Sequence, residues 1–179
     1  LAEKYNVLVT PGNFNTLLGV IRTIREQLRP YHQVFIVEMG AKQRGDIKEI
    51  CDLVHPQMGI VSSVGNMHLE TFKTLRGVQD TKFELIRALP ADGLGVINVD
   101  SEGIASYPDI PSHCRIITYG INSQTAECRA ENIAYSRRGV AFDAVISGKE
   151  AYRIETRLMG DGNILNILAA LAVADHLGV

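Results

Sequence analysis

Apolar runs alternate with helical stripes through the first two thirds of the chain. Val7-Leu-Val-Thr10, Val34-Phe-Ile-Val37, Gly59-Ile-Val-Ser-Ser-Val64, Leu94 to Val99 and Arg115-Ile-Ile-Thr-Tyr119 have the length and apolar continuity of strands buried on both faces. Between them, Leu17, Leu18, Val20, Ile21, Ile24 and Leu28 predict one helix, with Asn13 and Asn15 as possible caps. Ile47, Ile50, Cys51 and Val54 predict a second, capped by Asp46, and a third and longer one runs from about Glu70 to Leu89, ended by Pro90 and Gly93. Strands alternating with helices in this way predict an α/β fold, a mostly parallel, doubly wound sheet with right-handed crossovers.

The rhythm changes after Gly120. Ala130 to Ser136, Val140 to Ser147 and Ala151 to Leu158 predict three strands separated by Arg138-Gly139 and Gly148-Lys149, a small antiparallel meander. A closing helix carries Ile164, Leu165, Leu168, Leu171, Ala172 and Leu177, introduced by Gly160-Asp161-Gly162-Asn163. The expected organisation is therefore one domain, with residues 1–120 parallel α/β, 121–159 the meander and 160–179 the closing helix. Leu1-Ala-Glu-Lys4 reads as the tail of a helix leading straight into a strand, so the chain is expected to be a piece of a larger protein.

One residue breaks the pattern. The stripe Leu75, Val78, Leu85 or Ile86, Leu89 places Lys82 on the apolar face of its helix. A lysine held there is either partly desolvated, which lowers its pKa and favours an amine able to act as a base or combine with carbon dioxide, or lies along the core edge with its ammonium in water.

Composition narrows the function classes. Hydrophobic residues make up 46% and charged residues 21% of the chain, which is ordinary globular usage and excludes disordered, collagen-like and coiled-coil readings. A formal net charge of -2 without a basic run gives no general attraction to nucleic acid or to an anionic membrane. No apolar run reaches the ~18 residues of a membrane helix. Cys51, Cys114 and Cys128 are odd in number and scattered, without a C-x-x-C pair, so reduced thiols in the cytoplasm are expected.

Ligands of open parallel sheets bind beyond the carboxyl ends of the strands, and Glu38, Asn66 with His68, and Asp100 all follow strand ends. A carboxylate and an imidazole there can share a divalent metal that keeps open positions for phosphate oxygens; taken singly, each also reads as a solvated loop charge or a hydrogen-bonded structural residue. No phosphate-binding loop is present. Gly148-Lys149 lacks the glycine five positions earlier and is followed by Glu150, and Gly160-Asp161-Gly162 has Leu165 where a dinucleotide fingerprint needs glycine.

Several spaced motifs, taken together, resemble the central domain of the Mur ligases. They are Thr10-Pro-Gly-Asn-Phe-Asn15 with Gly19, Val37-Glu-Met-Gly-Ala41 with Gly45 and Ile47, Asn66-Met-His-Leu-Glu70, Lys82 with Glu84, Leu89-Pro90, Asn98-Val-Asp100 and Asn163-x-x-Asn166, in the family's order. Among the family's members the pattern points to the one that adds D-Ala-D-Ala to UDP-MurNAc-tripeptide. The resemblance implies an ATP-dependent ligase of peptidoglycan precursor synthesis in the cytoplasm, which phosphorylates a carboxylate that an incoming amine then attacks. It implies ATP and Mg2+ as cofactors, a UDP-MurNAc-peptide and D-Ala-D-Ala as substrates, and N- and C-terminal domains of the same protein as partners.

By the same resemblance, Glu38 and His68 are magnesium ligands and Lys82 is the lysine whose carbamate helps to hold a second magnesium. Asn163 and Asn166 lie near adenine, and Asn13 or Asn15 borders the peptide substrate. Two departures stand out. The family's glycine-rich ATP loop would lie upstream of Leu1, so this stretch alone is expected to be inactive, and Gly162 replaces a histidine common before the first adenine-side asparagine. Alternatives are a paralogous amide ligase, such as a cyanophycin or folylpolyglutamate synthetase, or a noncatalytic binding module. The amidating paralogue with a four-cysteine zinc ribbon does not suit three scattered cysteines.

Overall fold

The computed structural model describes residues 1–65 and 72–179. The chain forms two compact units, one of Leu1–Pro56 with the described part of Asn66–Ala88 and Val179, the other of Gln57–Gly65 with Leu89–Gly178.

In the first unit, β1 (Val7–Val9) and β2 (Val34–Ile36) pair in parallel, Val7 opposite Val34 and Val9 opposite Ile36. The crossover helix α1 (Leu17–Gln27) is capped by Thr16, whose side chain accepts from Gly19 N; neither Asn13 nor Asn15 is the cap. Its buried positions are Val20 and Thr23, whereas Leu18 is 78% exposed, so the apolar stripe is narrower than the hydrophobic residues alone suggest. Helix α2 (Asp46–Val54) buries Ile47, Ile50 and Cys51. Gly45, at φ +96°, is its N-cap, and Asp46 instead accepts from Lys42 N and Gln43 N, closing the preceding loop.

The third predicted helix is broken. Thr74 caps α3 (Leu75–Lys82) by accepting from Gly77 N, and α4 (Glu84–Arg87) begins after the break at Phe83. Phe83 and Ile86 are fully buried, so burial of an aromatic ring at the joint takes the place of helix continuity.

The second unit holds a six-stranded sheet in the order β3-β4-β5-β6-β7-β8. Strands β3 (Met58–Val61), β4 (Leu94–Asn98), β5 (Arg115–Gly120) and the start of β6 (Cys128–Ser136) are parallel neighbours. Every residue of β4 is buried, as befits an apolar run covered on both faces. Then β6, β7 (Gly139–Ile146) and β8 (Tyr152–Thr156) form the expected antiparallel meander, with an irregularity between Glu131 and Ala134. A short helix α5 (Glu102–Ala105) follows β4, unmarked by any period because it is a single turn. Helix α6 (Asp161–His176) lays Ile164, Leu168, Ala169 and Ala172 against Leu94, Val96, Ile117, Tyr119, Cys128 and Phe142 in one core cluster.

The parallel strands are thus divided between two sheets, where the hydrophobic pattern suggested one. An apolar run marks a strand but neither guarantees burial on both faces, since Val9 of β1, Ile36 of β2 and Ile60 of β3 are exposed, nor tells which strand it hydrogen-bonds to.

All three cysteines are free and buried. Burial pushes the Cys51 thiol up to about 11 and the Cys128 thiol up to about 12. Because the thiolate is the reactive form, both are expected to react with a disulfide reagent at pH 8 far more slowly in the native chain than in denaturant. Equal rates in the two states would contradict this burial.

Among the described residues, no helix is long and apolar enough to cross a membrane.

Candidate active site

Strand β2 runs out at Ile36, and two residues later Glu38 is exposed to solvent. Its backbone N donates to the hydroxyl of buried Thr10 at 3.1 Å, which ties it to the end of the neighbouring strand β1. Its side chain accepts from Asn15 Nδ2 through Oε1 at 3.1 Å. Asn15 also holds the loop after Glu38, since Gly40 N donates to Asn15 O at 2.7 Å. A side chain at Gly40 would begin 3.0 Å from the Asn15 amide, so glycine there permits the close approach. The carboxylate is therefore oriented from one side, and Oε2 has no hydrogen-bond partner among the described residues.

Lys82 ends α3 and is half-buried. Burial lowers its pKa below the ordinary lysine value, and the nearby Glu38 charge works in the opposite direction. The direction of this shift agrees with the desolvated-amine reading of the sequence. The first unit accordingly brings together Glu38, Asn15 and Lys82. Asn13 is exposed and takes part through its backbone, accepting from Asn15 N at 2.8 Å. His68 and Asn66 lie outside the described residues.

In the second unit, Asn163 and Asn166 sit one turn apart at the start of α6. Asn163 Nδ2 donates to Met159 O at 2.7 Å, which fixes the amide and leaves its oxygen and its second N–H for a ligand. Asn166 is exposed.

Asp100 proves to be structural. It accepts from the backbone N–H groups of Asn122 at 3.0 Å and Ser123 at 3.2 Å, and also from Ile121. A carboxylate engaged by three backbone donors closes the turn after β5 and is poorly placed to take up a metal.

Thr10 and Glu84 are the participants that sequence reasoning did not single out for a role. Glu84 accepts from Gly45 N through Oε1 and from Lys48 N through Oε2, each at 2.9 Å. Its spacing of two residues from Lys82 was the only available signal.

The model of the Mur ligase middle domain matches residues 1–174. The chain belongs to the Mur ligase family. It is 32% identical over 178 residues to the UDP-N-acetylmuramoyl-tripeptide–D-alanyl-D-alanine ligase of Haemophilus influenzae, covering 99% of this chain and 37% of that protein. The corresponding Escherichia coli ligase is 28% identical over 178 residues, with 99% and 39% covered.

Among solved structures, MurF from Acinetobacter baumannii superposes with a TM-score of 0.90 at 25% identity, over 100% of this chain and 38% of that one. The MurF ligase of Thermotoga maritima, determined in complex with ADP, gives a TM-score of 0.85 at 25% identity, over 99% and 40%. The chain therefore spans somewhat more than a third of the length of these relatives. Among the Mur ligases it has the middle-domain architecture that its motifs implied.

Proposed function

We propose that this chain is the nucleotide-handling core of a ligase that joins D-Ala-D-Ala to UDP-MurNAc-tripeptide in the cytoplasm, with ATP activating the peptide carboxylate as an acyl phosphate. The observation that carries this reading is the placement of Lys82, half-buried at a helix end and under the influence of the Glu38 carboxylate, in a chain of this family.

The residues support distinct roles. Asn163 presents its amide oxygen as an acceptor suited to the amino group of adenine, and Asn166 stands one turn further on the same helix. Asn15, which orients Glu38, and Asn13 in the same loop border the path of the peptide substrate. Lys82 supplies an amine whose lowered pKa favours carbamate formation, exchanging a cation for an anion next to Glu38.

Glu38 fits a magnesium site as a partly bonded, solvent-facing carboxylate. Among the described residues no group of three or more His, Cys, Asp or Glu side chains could hold a metal. Mg2+ usually takes one or two carboxylates and completes its shell with water and substrate phosphates. Glu38, His68 and the Lys82 carbamate are the residues that would hold it, and the ion would neutralise charge on the transferring phosphoryl group. The remaining domains of the full-length protein would complete the ATP and peptide sites.

The test is ADP release by the full-length protein containing this chain, with UDP-MurNAc-tripeptide and D-Ala-D-Ala supplied singly and together. Release is expected only with both. Absence of release with both would exclude this substrate pair and favour another amide ligase of the family.

A further inference from the structure

Helix α2 has no cap of its own: Gly45 occupies the N-cap position and offers no side chain. Its orphan donors are taken by a carboxylate 39 residues away, Glu84 Oε1 accepting from the N-cap N–H and Oε2 from the N–H of Lys48, the third residue of the helix, both at 2.9 Å. In an ordinary capping box these two donors are satisfied by two side chains of the helix itself. Here one side chain of α4 serves both, and its negative charge sits at the positive end of the helix.

We propose that Glu84 is a positioning residue for the ligase reaction, fixing Lys82 relative to Glu38. The inference rests on the role of Lys82 given above. Glu84 follows Lys82 by two residues, across the fully buried Phe83, so holding its carboxylate holds the end of α3. From α2 the connection runs back to Glu38. Asp46 Oδ2 accepts from Lys42 N at 2.8 Å and Gln43 N at 3.1 Å, Gly40 N donates to Asn15 O, and Asn15 donates to Glu38. The loop that carries the carboxylate and the helix that carries the amine are thereby joined at the N-terminus of α2. The influence of Glu38 on Lys82 agrees with the proximity that this joint maintains.

The experiment uses the full-length protein and its Glu84→Gln, Glu84→Asp, Lys82→Ala and Phe142→Leu variants. Steady-state ADP release with both substrates is measured alongside the 13C NMR signal of a lysine carbamate formed from labelled bicarbonate. A glutamine has one acceptor oxygen for two N–H donors, so Glu84→Gln is expected to lower kcat about 10–100-fold, the range found when groups supporting a ligand are removed. KM for ATP should change less than twofold and the carbamate signal should fall, with Glu84→Asp partly restoring kcat and carbamate. Phe142→Leu, a core lesion in the meander, supplies a destabilised control with kcat retained.

The proposal is overturned if Glu84→Gln lowers the melting temperature as Phe142→Leu does while kcat and the carbamate signal stay at wild-type levels. Glu84 is then only a helix cap. Full activity in Lys82→Ala would instead overturn the reading of Lys82, and the positioning role with it.

Discussion

Lys82→Ala in the full-length protein is expected to reduce ADP release in the presence of both substrates by about 10²–10³-fold, the scale on which a preorganised charged group acts in a water-excluded site. Lys82→Arg should be equally impaired, because a guanidinium keeps the charge but cannot form the carbamate. If Lys82 served only as a cation, Arg would restore much of the rate.

The loss should not come from unfolding. The folded-state pKa of Lys82 lies below the unfolded value of 10.5, because burial penalises the ammonium. Below the folded pKa both states carry the proton and the full desolvation cost is present. Between the two values the unfolded state binds more protons, so stability rises with pH and the cost is relieved. Lys82→Met, which keeps the stem and removes the charge, is thus expected to be at least as stable as the wild type at neutral pH while being inactive. A marked fall in its unfolding midpoint would mean that the lysine contributes to folding through contacts that burial alone does not reveal.

The largest stability effect is expected at Gly139, in the hairpin between β6 and β7. Its φ is +140°, and a Cβ there would lie 1.9 Å from the carbonyl oxygen of Thr156 on β8. Strand backbone cannot yield as a side chain end can, so Gly139→Ala should cost about 3 kcal/mol or more, among the larger single-residue effects. Gly148, in the next hairpin, also has positive φ, at +81°, but nothing lies within 4 Å of its would-be Cβ. Gly148→Ala should therefore cost only the conformational part, about 1–2 kcal/mol. Urea midpoints of the two variants decide the matter. Similar losses would show that the β6–β7 hairpin moves away from β8 to admit the methyl group.

Both hairpins were legible in the sequence as glycine pairs between alternating strands, but which glycine is irreplaceable was not. Gly139 differs from Gly148 in its backbone conformation and, above all, in what packs against it, a property of β8, which is its neighbour in space. Thr16 illustrates the same limit at a helix end. Asn13, Asn15 and Thr16 are all chemically competent caps, and only the path of the chain puts the Thr16 hydroxyl within 3.3 Å of Gly19 N. Asp100 and Glu38 are a matched pair of carboxylates after strand ends. Backbone donors occupy the first, and the second is held by a single asparagine, so their different uses follow from turns that no residue pattern specifies.

Lys82 shows the opposite case. Its position on an apolar stripe placed it on a core-facing side, with a desolvated amine and an ammonium reaching water both open, because the period of a helix decides which residues share a face whatever the helix later packs against. Burial then lowers the pKa of the amine.

The sequence by itself determined most of the strands and helices, the change from parallel units to a meander and the family, and it proposed Glu38, Lys82, Asn163 and Asn166 as candidates. These follow from local periodicity and from motifs, and both are properties of the chain read in order. Tertiary structure alone decided that β1–β2 and β3–β8 are separate sheets, that the third predicted helix breaks at Phe83, and that Glu84 caps α2 from 39 residues away. The sheets depend on which backbone donors and acceptors meet, the break on the burial of Phe83, and the cap on which side chain reaches the helix end across a long separation in sequence. Backbone hydrogen-bonding groups are the same in every residue except proline, so the side-chain pattern carries almost no record of how strands pair.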